Sequence, residues 1–129
     1  MKTRVFQILI LFLMTALFLP TAIIASNANE PSGIFIYENP ANEKAEFDIL
    51  TPEAAEISVL IYDNQGNVLF SQKGNTQIVG NTNSLKINWN LTNRAGKRAT
   101  AGIYIIQATA RSSNGSGIHQ YFAQLGVRK

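Results

Sequence analysis

His119 is the only histidine in this chain of 129 residues. Proton transfer by an imidazole near neutral pH would therefore pass through it. It stands in Gly117-Ile118-His119-Gln120-Tyr121, an alternating pattern in which a lone histidine reads as a surface or packing residue. Serines and threonines are plentiful, but no Gly-x-Ser-x-Gly turn presents one as a nucleophile. The chain has no cysteine, so it offers neither a thiol nucleophile nor a thiolate ligand. Glu53, Glu56 and Asp63 are hard oxygen donors of the kind calcium takes. The first two fall at one end of a strand and the third at the other, too far apart to share an ion. Asp63 reads instead as the cap of its own turn. No spacing suits zinc, and no glycine loop suits phosphate. Trp89, Tyr62 and Tyr104 offer either a sugar-binding platform or core rings with their polar atoms at the rim, and core packing is the preferred reading. These residues predict no enzyme, no metal and no cofactor.

The elements that carry these residues are strands. Period-two patterning dominates after residue 33. Residues 33–37 form a first strand, stopped by Glu38-Asn39-Pro40. Residues 44–50 form a second, with Ala45, Phe47 and Ile49 on one face. Residues 56–62 form a third, central strand. Asp63-Asn64-Gln65-Gly66 turns it back into residues 67–72, because Asp and Asn cap their own backbone and Gly supplies positive φ. Residues 73–82 read as a polar connection with room for a short edge strand at Ile78-Val79. Leu85, Ile87 and Trp89 alternate along a fifth strand, and 92–100 is a long polar turn. Residues 102–110 and 118–127 flank the hairpin signal Asn114-Gly115, the last strand being broken at Gly126. No sustained helical period occurs outside the N-terminus. About seven strands at this spacing predict an antiparallel two-sheet sandwich with Trp89 as the plug between sheets.

The N-terminus sets the compartment. Lys2 and Arg4 precede an apolar run over 5–19, Pro20 breaks it, and Ser26-Asn27-Ala28 supplies a small-residue exit. This is a secretory signal over 1–28, cleaved after Ala28, with an uncleaved anchor as the alternative. Residues 29–129 then form one domain, exported to the periplasm, the outer-membrane surface or the medium. About 100 residues suffice to close one core without disulfides. The formal charge is +3. No basic run with interleaved aromatics marks a nucleic-acid surface, and membrane contact is confined to an uncleaved N-terminus.

From about Ile34 onward the chain resembles the Ig-like domain of the bacterial flagellar hook-capping protein. It is also similar to the C-terminal sorting domains of type IX secretion. Tyr37-Glu38-Asn39-Pro40, the hairpin 59–68 around Asp63 and Gly66, and Trp89 to Gly96 followed by Gly102-Ile103-Tyr104 carry the resemblance. It implies an immunoglobulin-like sandwich, with Asp63, Gly66, Trp89, Gly96, Gly102 and Tyr104 defining the fold. Leu91 stands where the hook-cap pattern usually has Gly, which leaves the turn after Trp89 open to another shape. Glu38 stands where the sorting domains usually have Pro. The implied role is a non-catalytic module for protein–protein assembly or adhesion at the cell envelope. The alternatives are a sorting or anchoring domain that uses residues 122–129, and a small carbohydrate-binding module. Arg94, Lys97 and Arg98 form a basic loop and the first candidate for contact with an envelope or extracellular protein.

Overall fold

The computed structural model describes residues 32–129. The expected signal segment and its cleavage point lie outside them. Eight strands form: β1 (Gly33–Ile36), β2 (Ala45–Thr51), β3 (Ala55–Tyr62), β4 (Val68–Asn75), β5 (Gln77–Val79), β6 (Thr82–Trp89), β7 (Gly102–Ser112) and β8 (Ile118–Val127). They make two four-stranded sheets, in the orders β1-β2-β6-β5 and β4-β3-β7-β8. Every strand pairing is antiparallel. The sheets face each other as the expected immunoglobulin-like sandwich.

Alternation builds the core. Ala45, Phe47 and Ile49 of β2 and Ala55, Ile57, Val59 and Ile61 of β3 are buried, with less buried residues between them. β7 contributes Tyr104, Ile106, Ala108 and Ala110. Trp89 is 1% exposed. Its ring meets Tyr104 edge-on at 6.0 Å and lies tilted to Phe70 at 6.2 Å. It is the plug that the sequence predicts.

The eighth strand arises in the connection 73–82. β4 runs on to Asn75, and Thr76 then moves the chain into the other sheet. The Thr76 N–H donates to the Ala55 carbonyl at 2.9 Å, and the Ala55 N–H donates to Thr76 Oγ1 at 2.9 Å. Gly80, at φ +66°, opens a two-residue turn that folds β5 back on β6. One continuous segment thus forms the edge of both sheets on this flank.

The opposite flank is laced differently. β1 has four residues and is steadied from outside: the Tyr37 hydroxyl donates to Asp48, and Lys86 Nζ sits 4.5 Å from the Tyr37 ring centroid. The chain then crosses to β8. Asn39 Nδ2 donates to the Gln124 carbonyl at 3.1 Å, and its Oδ1 accepts the Gly126 N–H at 2.8 Å. Ala41 pairs parallel to Val127, through Ala41 N–H to Gly126 O (2.7 Å) and Arg128 N–H to Ala41 O (3.0 Å).

Gly126 does not break the last strand, contrary to the sequence reading. It pairs with Ile103 inside an unbroken β8. Its lack of a side chain admits the crossing segment instead: a Cβ there would lie 3.2 Å from Pro40 Cβ and 3.3 Å from Asn39 Oδ1. Asn39→Ala removes two hydrogen bonds of about 0.5–1.5 kcal/mol each. The expected loss of about 1–3 kcal/mol is read from the urea midpoint at unchanged m-value; an unshifted midpoint would show that the crossing does not depend on this amide.

Candidate interaction site at the loop end of the sandwich

Four segments converge at one end of the sandwich: the crossing segment up to Lys44, the β3–β4 turn, the loop 90–101, and residues 128–129 after β8. The β3–β4 turn owes its shape to Asp63. Its Oδ1 accepts the N–H groups of Gln65 and Asn67, both at 2.9 Å. The Gly66 N–H donates to Asp63 O, and Asp63 N–H donates to Asn67 O, both at 3.0 Å. Gly66 sits at φ +88° with open space around it, so backbone conformation alone asks for glycine.

The loop 90–101 contains the same turn again. Asn93 Oδ1 accepts from Ala95 and Lys97, both at 2.9 Å. Gly96 N–H donates to Asn93 O (2.9 Å), Asn93 N–H donates to Lys97 O (2.8 Å), and Gly96 has φ +82°. What the sequence reading treats as a long polar turn is a miniature hairpin, continued by the Thr92–Arg98 bridge and an Ala99 N–H to Leu91 O bond at 2.8 Å. Asn93 was missed as a shaping residue. The signal was present: Asn93 to Gly96 repeats the spacing of Asp63 to Gly66.

Two aromatic groups anchor the loop. The Trp89 indole N–H donates to Thr92 O at 2.8 Å. The Tyr104 hydroxyl donates to Thr100 O at 2.6 Å, a tyrosine bonded to main chain four residues upstream as in immunoglobulin-like tyrosine corners. Leu91 adopts φ +63° and is fully buried. It therefore takes the left-handed conformation that glycine adopts readily. That conformation costs a leucine roughly 1–2 kcal/mol, and burying the side chain contributes about 1.5–3 kcal/mol.

The three expected contact residues have different roles. Arg94 and Lys97 are exposed on the turn held by Asn93. Arg98 is also exposed but is engaged: its Nη2 donates to Asn42 O at 2.6 Å and to Arg128 O at 3.1 Å. It ties the loop to the crossing segment and to the end of β8. An open cleft of about 600 Å³ lies there, lined by Asn42, Glu43, 98–101, Arg128 and Lys129. Among the described residues the ion pairs are Lys44–Glu46, Lys86–Asp48 and Arg128–Glu38, so no carboxylate pairs with Arg94 or Lys97.

The remaining candidates lie elsewhere. Trp89 and Tyr104 are buried, at 1% and 4% exposure, while Tyr62 is half-buried, so the three aromatics of the carbohydrate alternative do not form one surface platform. His119 is exposed on β8. Among the described residues no three His, Asp or Glu side chains are grouped to hold a metal. Glu53 accepts Asn114 Nδ2 at 2.7 Å and Ser116 Oγ at 2.8 Å, bracing the β7–β8 turn at the other end. Those bonds, Ser116 first, hold its carboxyl below the usual range. Residues 122–129, which the sorting alternative would present, are built into the fold through the bonds of Gln124, Gly126 and Arg128 to 39–41.

No family model matches this chain, and neither does any curated protein sequence. Solved structures do. Part of dimeric latent PorU from Porphyromonas gingivalis superposes with a TM-score of 0.60 at 23% identity, over 73% of this chain and 9% of that one. PorZ, a surface component of the type IX secretion system of the same organism, gives 0.49 at 18% identity, over 75% and 12%. FlgD from Xanthomonas campestris, described for hook capping in flagellar assembly, gives 0.48 at 17%, over 81% and 75%. The likeness to PorU shows a shared fold, and this chain spans about a tenth of the first two proteins.

Two predictions follow from the turns. Leu91→Ala forfeits packing worth about 2–5 kcal/mol and keeps the backbone penalty. Leu91→Gly forfeits that packing and the buried Cβ as well, and releases the penalty. The glycine variant is expected to be the more stable of the two by about 1 kcal/mol in urea unfolding, the reverse of the usual order. Equal stabilities would count against a strained Leu91. The second prediction concerns pH. The Asp63 carboxyl is held below its ordinary 3.8, first by the Asn67 main-chain hydrogen bond. A carboxyl with a lowered folded value stabilises fully above its ordinary value and loses that contribution as pH falls through the lowered one. The Gln65 and Asn67 amide resonances are expected to shift over that acid window. The Ala95 and Lys97 amides, held by the untitratable Asn93, are expected to stay; a shared shift would sink the assignment.

Proposed function

We propose that this chain is an exported, non-catalytic Ig-like module that joins proteins at the bacterial cell envelope through its loop end. The carrying observation is that Arg94 and Lys97 stand exposed, without a carboxylate partner among the described residues, on a turn whose backbone Asn93 fixes. A preorganised loop loses little entropy on binding. The cations would steer an acidic partner surface and select against a basic one. The rigid sandwich beneath and the absence of a Gly-x-Ser-x-Gly turn or a thiol favour binding over chemistry. The signal-like N-terminus supports export.

Arg98 is left intact in the test, because its bonds tie the loop to the crossing segment and to Arg128. Arg94→Glu combined with Lys97→Glu is expected to weaken capture of the envelope partner at least tenfold, or about 1.4 kcal/mol. The urea midpoint should stay within about 0.5 kcal/mol of the parent, as for other exposed substitutions. Capture from the native envelope with the tagged full chain, followed by mass spectrometry, reads the result. An unchanged partner profile would overturn the reading.

A further inference from the structure

Natural sheets protect their edges against pairing with other chains. Three of the four edge strands here carry such a device. β1 has four residues and β5 has three. β4 shows polar Ser71, Gln72 and the charge of Lys73, and its pairing with β3 contains a bulge. β8 is different. Its second half is covered by residues 39–41, while its first half has no lysine, proline or register shift.

The cover over the second half shows which main-chain groups face outward. Gln124 O, both groups of Gly126 and Arg128 N–H bond to the crossing segment. The even-numbered residues of β8 therefore point their main-chain groups away from β7. By the same alternation Ile118, Gln120 and Phe122 present theirs to the outer edge, where no strand pairs with them among the described residues. Their side chains share the outer face, where Ile118 is 55% and Phe122 59% exposed.

This edge is complementary to itself. An antiparallel pairing centred on Gln120 sets Ile118 of one copy opposite Phe122 of the other, and Gln120 opposite Gln120. All three pairs fall at hydrogen-bonding positions, and none brings like charges together. A register centred on Phe122 would instead collide with Asn39 at Gln124. We propose that two copies of this chain associate through the first half of β8, continuing the β4-β3-β7-β8 sheet across a two-fold axis. The apolar pair Ile118–Phe122, made twice, closes over the outer face. The contact is short, so association is weak and depends on concentration. It lies on β8 and does not use Arg94 or Lys97, so it stands independently of the partner surface proposed above.

The chain contains no cysteine, so Gln120→Cys places one thiol in each molecule of the full chain. Opposed residues in such a pair have Cα atoms about 5.5 Å apart, within the roughly 4.4–6.8 Å that a disulfide spans. Mild oxidation is expected to link Gln120→Cys into dimers at least tenfold faster than Ser71→Cys on the β4 edge. Adding Phe122→Lys to the Gln120→Cys chain is expected to remove that advantage. Phe122 is exposed, so the variant keeps its core, which thermal unfolding checks. Linking no faster than Ser71→Cys, or preferential linking to a different envelope protein, would overturn the proposal.

Discussion

The carboxamide of Asn39 seated against the main chain of β8 is the constraint from which the rest of the molecule follows. It serves as a short strand: one donor and one acceptor meet Gln124 and Gly126 as a backbone would. Without it, two facing sheets joined on this flank by loops and apolar contact could slide. With this amide in place, Ala41 is buried completely and its main chain bonds Gly126 and Arg128. Asn42 then offers its carbonyl to Arg98. The loop end is thus assembled from residues distant in sequence that one flank of the sandwich brings together.

On the other flank the same problem has a second solution. Thr76 lets one strand leave one sheet and enter the other while its hydroxyl and N–H stay paired with Ala55. The two closures explain why a domain this small keeps a buried, apolar centre around Trp89. They also explain where it stays open to others, because a lacing segment covers only the length it runs beside.

The strands were legible because burial here is periodic. Ala45, Phe47 and Ile49 alternate with Glu46 and Asp48 in sequence and in space. The hairpin at Asp63 was legible because Asx and Gly leave a local mark. β5 was only partly legible: its pairing with β6 rests on a corner at Thr76 and a turn at Gly80, neither of which alters hydrophobic period. Gly126 was misjudged because its reason is steric and non-local; a side chain there would crowd Pro40 and Asn39. Leu91 kept a glycine's conformation because its side chain had a place in the core to offset the strain. Arg98 read as a free cation, since sequence does not say which carbonyls a guanidinium will find.

The bond between Gly126 and Asn39 joins residues 87 positions apart. Contacts so distant are made late, since a long loop must close before they return any free energy. A ribosome delivers Asn39 well before Gly126. Until then Ala41 lacks its main-chain partners and Arg98 has one carbonyl in place of two. β8 thus both fills the second sheet and seals the first flank. A chain truncated or still in transit before Gly126 would remain an open, strand-exposing form.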